Sequence, residues 1–472
     1  MDNMQEVKMR RIKSNLEVLS QKELMLIHDT ALKILDEIGL MVPNDELLDM
    51  CREHGCVIRD NQIVTFPKKV MDGYVERMRA ESTFKIGEDA HELKGSISTQ
   101  VTLVDYATKT RRYGLRDDNL KGIKLCEYLS NIPSADAAVV PSDVPYDIAD
   151  AVTISDIKKY STKPGGTYIL TPTGAKYVQM INELLGLKSY YLLEVISPLS
   201  FKADTIEMSL YFAKKGGSLS IAPMAMGSAT APVTVSGTLA LQAAEVLGSG
   251  FLVHVMTGEF PMLGMSCHSS DPRTMLCSFG SPNQALFAVA TSQLAKYYGI
   301  QGGCNTALTD ALMPDFQAGF EKGVTAALSS ASGLCSIGCQ GIVGADQGFS
   351  YEQLVIDNEW LSYLNYIMSG FDVTEETIGY ETIKDVGIRG NFLGEDHTVE
   401  YLRKSYWFSE IFGRYDWSSW QRDGSKTVLE RSHEYVEKVT AGYKEMEPVL
   451  EPDKCKELDK IIDTAYNEVA NK

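Results

Sequence analysis

The 472-residue chain predicts an α/β fold: a (β/α)8 TIM barrel with an α+β N-terminal region and C-terminal helices. Three observations lead there. The first is a rhythm of short apolar run, turn rich in Pro, Gly, Ser or Asn, then helix. The second is charge distribution: between Gly216 and Ala345 only nine residues are charged, as expected of buried strands between packed helices. The third is the lack of a glycine fingerprint at the first crossover, which favours the barrel over an open doubly wound sheet. Gly248-Ser249-Gly250 has no third glycine and follows a helical pattern, Thr238–Leu247.

Residues 1–110 read as the N-terminal α+β region. Its first helix opens at Ser20-Gln21-Lys22-Glu23, a capping box, and shows an apolar face of Leu24, Ile27, Ala31, Ile34, Leu35 and Ile38 before Gly39. A second helix starts near Asn44, and Ile63-Val64-Thr65-Phe66-Pro67 reads as a strand. Residues 111–425 carry the eight barrel runs. They are Ala137–Val140, Thr167–Leu170, Leu192–Ile196, Leu219–Ala222, Pro261–Met265, Ile300–Cys304, Leu334–Cys339 and, most weakly patterned, Asn391–Gly394. Residues 426–472 read as two amphipathic helices packed outside.

Composition narrows the function. With 45 basic and 63 acidic residues the formal charge is −18, which argues against a nucleic-acid groove and against docking on an anionic membrane. A chain of 52.1 kDa folds to roughly 17,500 Å² of surface from roughly 75,000 Å², enough for a large core. The first residues, Met1 to Glu6, lack the apolar stretch of a signal peptide, and nine cysteines make no disulfide framework. A reducing, cytoplasmic setting is the expectation.

In a barrel the loops after the strands carry the chemistry. Here they hold no Walker loop, no GxSxG elbow, no HExxH and no His/Asp/Glu metal cluster. His268 and His397 directly follow predicted strands, which leaves a lyase or hydrolase with a histidine acid/base as one reading. The densest polar patch is the glycine-rich stretch from Gln340 to Phe349, where Asp346 ends a charge-free run. Asp357 and Glu359 in the next helix fall on different faces, so they form no acid/base pair.

Several ordered segments then carry a family resemblance. They include Ser197-Pro198-Leu199, Ala229-Thr230-Ala231-Pro232-Val233-Thr234 and Pro314-Asp315-Phe316-Gln317-Ala318-Gly319-Phe320-Glu321. They continue with Ser350-Tyr351-Glu352-Gln353-Leu354-Val355-Ile356-Asp357-Asn358-Glu359 and with Asn391-Phe392-Leu393-Gly394 before His397-Thr398. The set resembles the trimethylamine methyltransferase superfamily of corrinoid-dependent methyltransferases, most fully over 200–420. The chain resembles its non-pyrrolysine branch, since it contains only ordinary residues. The resemblance implies methyl transfer from a quaternary amine (proline betaine first, then carnitine, glycine betaine or γ-butyrobetaine) to the Co(I) corrinoid of a separate, cognate corrinoid protein. No cofactor is then held tightly by this chain; the cobalamin comes with the partner.

That chemistry needs no general acid, because a quaternary nitrogen leaves as a neutral amine. The protein must position one methyl, exclude water and hold a cation without gripping it so tightly that the barrier rises. Aromatic faces at Tyr106, Phe201 and Phe349 would serve, with Asp346 as charge partner. For a betaine carboxylate, His268, Asn305, Gln340 and Gln347 supply donors. Each aromatic has core packing as its alternative role. A non-catalytic betaine-binding regulator is a further reading. Self-association is common for barrels of this size, but no heptad or exposed apolar stripe is legible to place it.

Overall fold

A computed structural model describes residues 16–82, 92–334 and 336–471. The N-terminal region begins with the helix Gln21–Glu37, closed at its start by the expected capping box: Ser20 N–H donates to the Glu23 carboxylate at 2.7 Å while the Ser20 hydroxyl accepts from Glu23 N. Its buried side chains pack on the long helix Val235–Thr257. The helix Asp45–Glu53, capped by Asn44, and an antiparallel sheet of Leu40–Met41, Ile63–Thr65 and Val57–Arg59 complete this layer.

Parallel strands form the centre. Tyr190–Val195 pairs with Ser218–Pro223 through six matched positions, Leu263–Gly264 with Gly302–Gly303, and Ser336–Gln340 with Lys94–Ile97. A bridge from Cys304 to Ile337 joins the second pair to the third, and one from Gln100 to Val139 extends the ladder. The strands alternate. Leu219, Ile221 and Pro223 are buried on the helix side, whereas Ser218, Ser220 and Ala222 are only half-buried on the other face. That second face is small and polar elsewhere too, with Ser96, Ser266 and Gly303, and therefore leaves room instead of closing into a packed core.

Three expected strands differ. Ala137–Val140 contributes only a bridge at Val139 and Thr167–Leu170 forms no regular strand, and side chains take part of their backbone bonding. Asn119 both accepts from Val139 N (3.0 Å) and donates to Val139 O (2.9 Å), and Asp150 accepts from Leu170 N (2.9 Å). Asn391–Gly394 is no strand at all: it is an exposed turn before the helix Asp396–Ser405. Its expected place beside Ser336–Gln340 is taken by Lys94–Ile97, far earlier in the chain. Gly95 makes that pairing possible, since a Cβ there would stand 2.7 Å from the Gln340 amide oxygen, which accepts from Ser96 N at 2.8 Å.

The helix Val235–Thr257 is long and apolar enough to cross a membrane but is buried within the protein as a core helix. Gly248 and Gly250 lie inside it, where small residues let Leu40 and Tyr74 approach closely. The closing helices are Val428–Thr440 and Pro452–Ala470, the latter burying Leu458, Ile462 and Ala465 against Tyr177 and Ile181. Between Phe371 and Thr427, by contrast, the only buried residue is Ile411.

Candidate functional site

Backbone in the left-handed region costs a non-glycine residue on the order of 1 kcal/mol or more. Five such residues lie in loops that follow strands, Leu199, Ser228, Ala307, Ala345 and Asp346, and a sixth, Cys339, lies near the end of the strand Ser336–Gln340, with φ between 50° and 73°. The surroundings impose them. Leu199 N and the Ser197 hydroxyl both donate to Glu245, at 2.9 and 2.7 Å, from the core helix behind. Gly344 N and Ala345 N donate to Ala311 O and Thr309 O.

The 340–349 loop has the firmest anchor. Lys322 and Asp357, both without solvent exposure, form an ion pair at 2.9 Å. Asp357 also accepts from Gly341 N (2.8 Å), Gln353 Nε2 (2.7 Å) and Trp360 Nε1 (2.8 Å). Gly341, at φ 81°, must be glycine, because a Cβ there would fall 2.4 Å from the Phe349 ring.

This anchored loop projects Asp346. Its carboxylate accepts from Gln100 Nε2 at 2.6 Å, and burial raises its pKa although the side chain is still reached by solvent. Asp346 is exposed by area yet crowded by protein around its carboxylate. Glu194 has the same character: it lies on the open face of its strand, and burial raises its pKa with only partial relief from Lys202. Among the described residues, neither carboxylate has a basic side chain within ion-pairing distance.

Tyr168 lies in the field of both and lines a cavity of about 430 Å³ between the 167–170 segment and the Tyr190–Val195 strand. Its hydroxyl lies 3.0 Å from that of Ser98. Burial first, then Cys339 and the negative fields of Asp346 and Glu194, push its pKa up to about 12, so it stays a neutral donor. Hydroxyls of Ser96, Ser98, Thr99 and Thr167 share the cavity wall. Asp136, Lys158 and Lys188 line it as well, whereas Asp346 and Glu194 do not; a wall that mixes hydroxyls, one carboxylate and two lysines suits a small polar or zwitterionic ligand.

The expected site residues divide. Asp346 is exposed, accepts from Gln100 and does not line the cavity. Gln347 is nearby, and its amide oxygen and carbonyl accept from Arg111. Asn305 is half-buried on the open face, over Gly338. Gln340 is buried, its amide spent on Ser96 N and Gly338 O. Phe201, 2% exposed, and Phe349, 0% exposed, belong to the two large apolar cores and offer no free face. Tyr106 stacks on His433 at 3.8 Å.

His268 is fully buried, its Nδ1 2.8 Å from Gln284 Oε1 and its ring against Phe279. Burial lowers its pKa to about 4, and the neutral imidazole acts as a packed strand residue. His397 lies on the exposed stretch beyond the core and meets Glu376 O, away from any strand end. Tyr168, Glu194 and Gln100 were not anticipated. Glu194 did carry a signal, a lone carboxylate at an alternate position within an apolar strand run.

Fold and cavity together define an α/β protein with room for a small polar ligand beside its parallel strands. The family model for trimethylamine methyltransferase (MTTB) matches residues 1–470. The chain belongs to this family and is a corrinoid-dependent amine methyltransferase. It is 28% identical to the trimethylamine methyltransferase MttB of Methanosarcina barkeri, with 95% of each chain covered. It is 25% identical to the glycine betaine methyltransferase of Desulfitobacterium hafniense, over 96% of this chain and 98% of the other. For the L-carnitine:corrinoid methyltransferase of Eubacterium limosum the identity is 26%, over 94% and 95%.

Proposed function

We propose that this chain demethylates a quaternary amine, proline betaine before carnitine, glycine betaine or γ-butyrobetaine, and passes the methyl to a corrinoid carried by a separate cognate protein. The observation that carries the reading is the pair of carboxyls with raised pKa, Asp346 and Glu194, neither matched by an ion-pairing base, both acting on Tyr168, which lines a cavity of substrate size. A quaternary ammonium has no N–H to donate, so it is held by field and shape. Carboxylates short of counter-charge supply the field. The substrate carboxylate turns to the hydroxyls of Ser98, Thr99 and Tyr168, neutral donors and not a salt bridge.

A reduced corrinoid, when bound, supplies the nucleophile. This chain's part is to present one methyl at the strand ends, where Ile196 and Met224 form an exposed apolar rim. The C–N pair stays with nitrogen, the amine leaves neutral, and no side chain moves a proton. Asp346 and Glu194 hold the cation through solvent-softened fields, which limits how far the ground state is favoured over the transition state.

A (β/α)8 barrel is the architecture we propose for this site. The parallel pairs, the bridges at Cys304–Ile337 and Gln100–Val139, and the Ala137 N to Gly166 O bond support it, with Lys94–Ile97 as the eighth stave. On this reading the barrel draws on 111–425 plus that one earlier strand, and 426–472 packs outside. The eight described cysteines are all free thiols, in keeping with a reducing, cytoplasmic setting.

The test mixes purified protein with a reduced corrinoid protein over a betaine panel and follows amine release and corrinoid methylation. Turnover is expected, fastest with proline betaine. Failure with every quaternary amine, using a corrinoid protein verified with another methyltransferase, overturns the proposal.

A further inference from the structure

Two surfaces of the molecule are apolar and uncovered. The helix Phe316–Ser332 buries Ala318, Lys322, Thr325, Ala326 and Ser329 on one face. On another face Phe316, Phe320, Val324 and Leu328 recur every four residues, all exposed, Phe316 at 87%. The second surface is the stretch 371–408, which exposes twelve large apolar side chains, Ile388 at 99%. None of its helices, Glu375–Ile378, Tyr380–Val386 and Asp396–Ser405, has a buried residue.

We infer that these two surfaces meet between two copies of this chain, the 371–408 arm of each lying on the Phe316–Leu328 stripe of the other. Helices this short are marginal in water without tertiary cover, so the arm needs a permanent neighbour. A protein that docks and departs at each turnover does not provide one. A second copy does, and a two-fold axis lets one arm-to-stripe contact occur twice, closing the assembly.

The areas agree. Twelve such side chains offer on the order of 1,000 Å², beyond the roughly 800 Å² per partner of a stable interface. The chain exposes 23,630 Å², against roughly 17,500 Å² for a compact monomer of its mass. Even fully extended, the 26 residues outside the described set would add only about 4,100 Å² of that excess.

The test is sedimentation of the full chain at micromolar concentration, with and without F316D/F320D, together with a photoreactive side chain placed at Leu393. A dimer is expected that the double substitution turns into a monomer at least tenfold more readily on dilution. The crosslink, read in a mixture of tagged and untagged chains, should join position 393 of one copy to residues 316–328 of the other. A wild-type monomer overturns the inference, as does a chain that associates only when a corrinoid protein is added. So does a dimer indifferent to F316D/F320D, or a crosslink confined within one chain.

Discussion

The ladder region, 93–361, and the arm, 371–408, are both rich in large apolar residues, yet their fates are opposite. In the first, Leu193, Ile221, Phe349 and Leu361 are buried and the open face carries mostly small or polar residues such as Ser220, Ala222, Glu194 and Asn305. In the second, Phe371, Ile388, Leu393 and Phe408 stand in solvent. Apolar content is therefore no guide to burial by itself. What separates the regions is whether the pattern finds a complementary layer within the same chain.

Breaking the buried ion pair should show the contrast most strongly. Lys322→Met leaves Asp357 charged, fully buried and supported only by neutral donors. A loss of about 3–5 kcal/mol in denaturant unfolding is expected. In the F316D/F320D background, Ile388→Ala on the arm should change protomer stability by no more than about 0.5 kcal/mol.

His268 offers a pH-dependent test of the same side. Its folded pKa of about 4 lies below the ordinary 6.5, so the unfolded chain binds more protons between those values. Its contribution is intact above 6.5 and lost as pH falls towards 4, about 3 kcal/mol in total. His268→Gln should flatten that slope while leaving turnover at neutral pH within a few-fold, unlike a catalytic acid/base.

Next come Asp346 and Tyr168. Asp346→Asn should lower kcat/KM for a betaine about 10–100-fold, chiefly through KM, with unfolding stability preserved because the lost carboxylate was poorly solvated. Its raised pKa sets the wild-type sign: KM should climb as pH falls, starting above the usual aspartate range, and steady-state profiles of the variant should lose that limb. The smallest change is Tyr168→Phe. Losing one neutral donor should raise the betaine KM a few-fold and leave trimethylammonium-type cations without a carboxylate unaffected.

Much of this was legible from local pattern. Ser20 and Glu23 announce the first helix, Ser350 caps the helix at Tyr351, and the Ser-Leu-Ser-Ile-Ala-Pro run already shows which side of its strand is buried. The charge-free run that Asp346 ends was legible too. Phe201, Phe349 and His268 misled because a strand-end position says nothing of which way a side chain turns. Phe349 turns back onto Gly341 and the core; His268 turns to Gln284.

By itself the sequence determined the α/β class, the caps, the alternation of the strands and the charge-poor centre. All depend on neighbours within a few residues. Tertiary structure alone decided that Lys94–Ile97 and not Asn391–Gly394 pairs beside Ser336–Gln340, that Glu194 and Asp346 both act on Tyr168, and that Lys322 meets Asp357. Those outcomes rest on which distant segments win the competition for one hydrogen-bonded edge or one cavity. That competition is settled by packing across hundreds of residues, and no short window of sequence contains it.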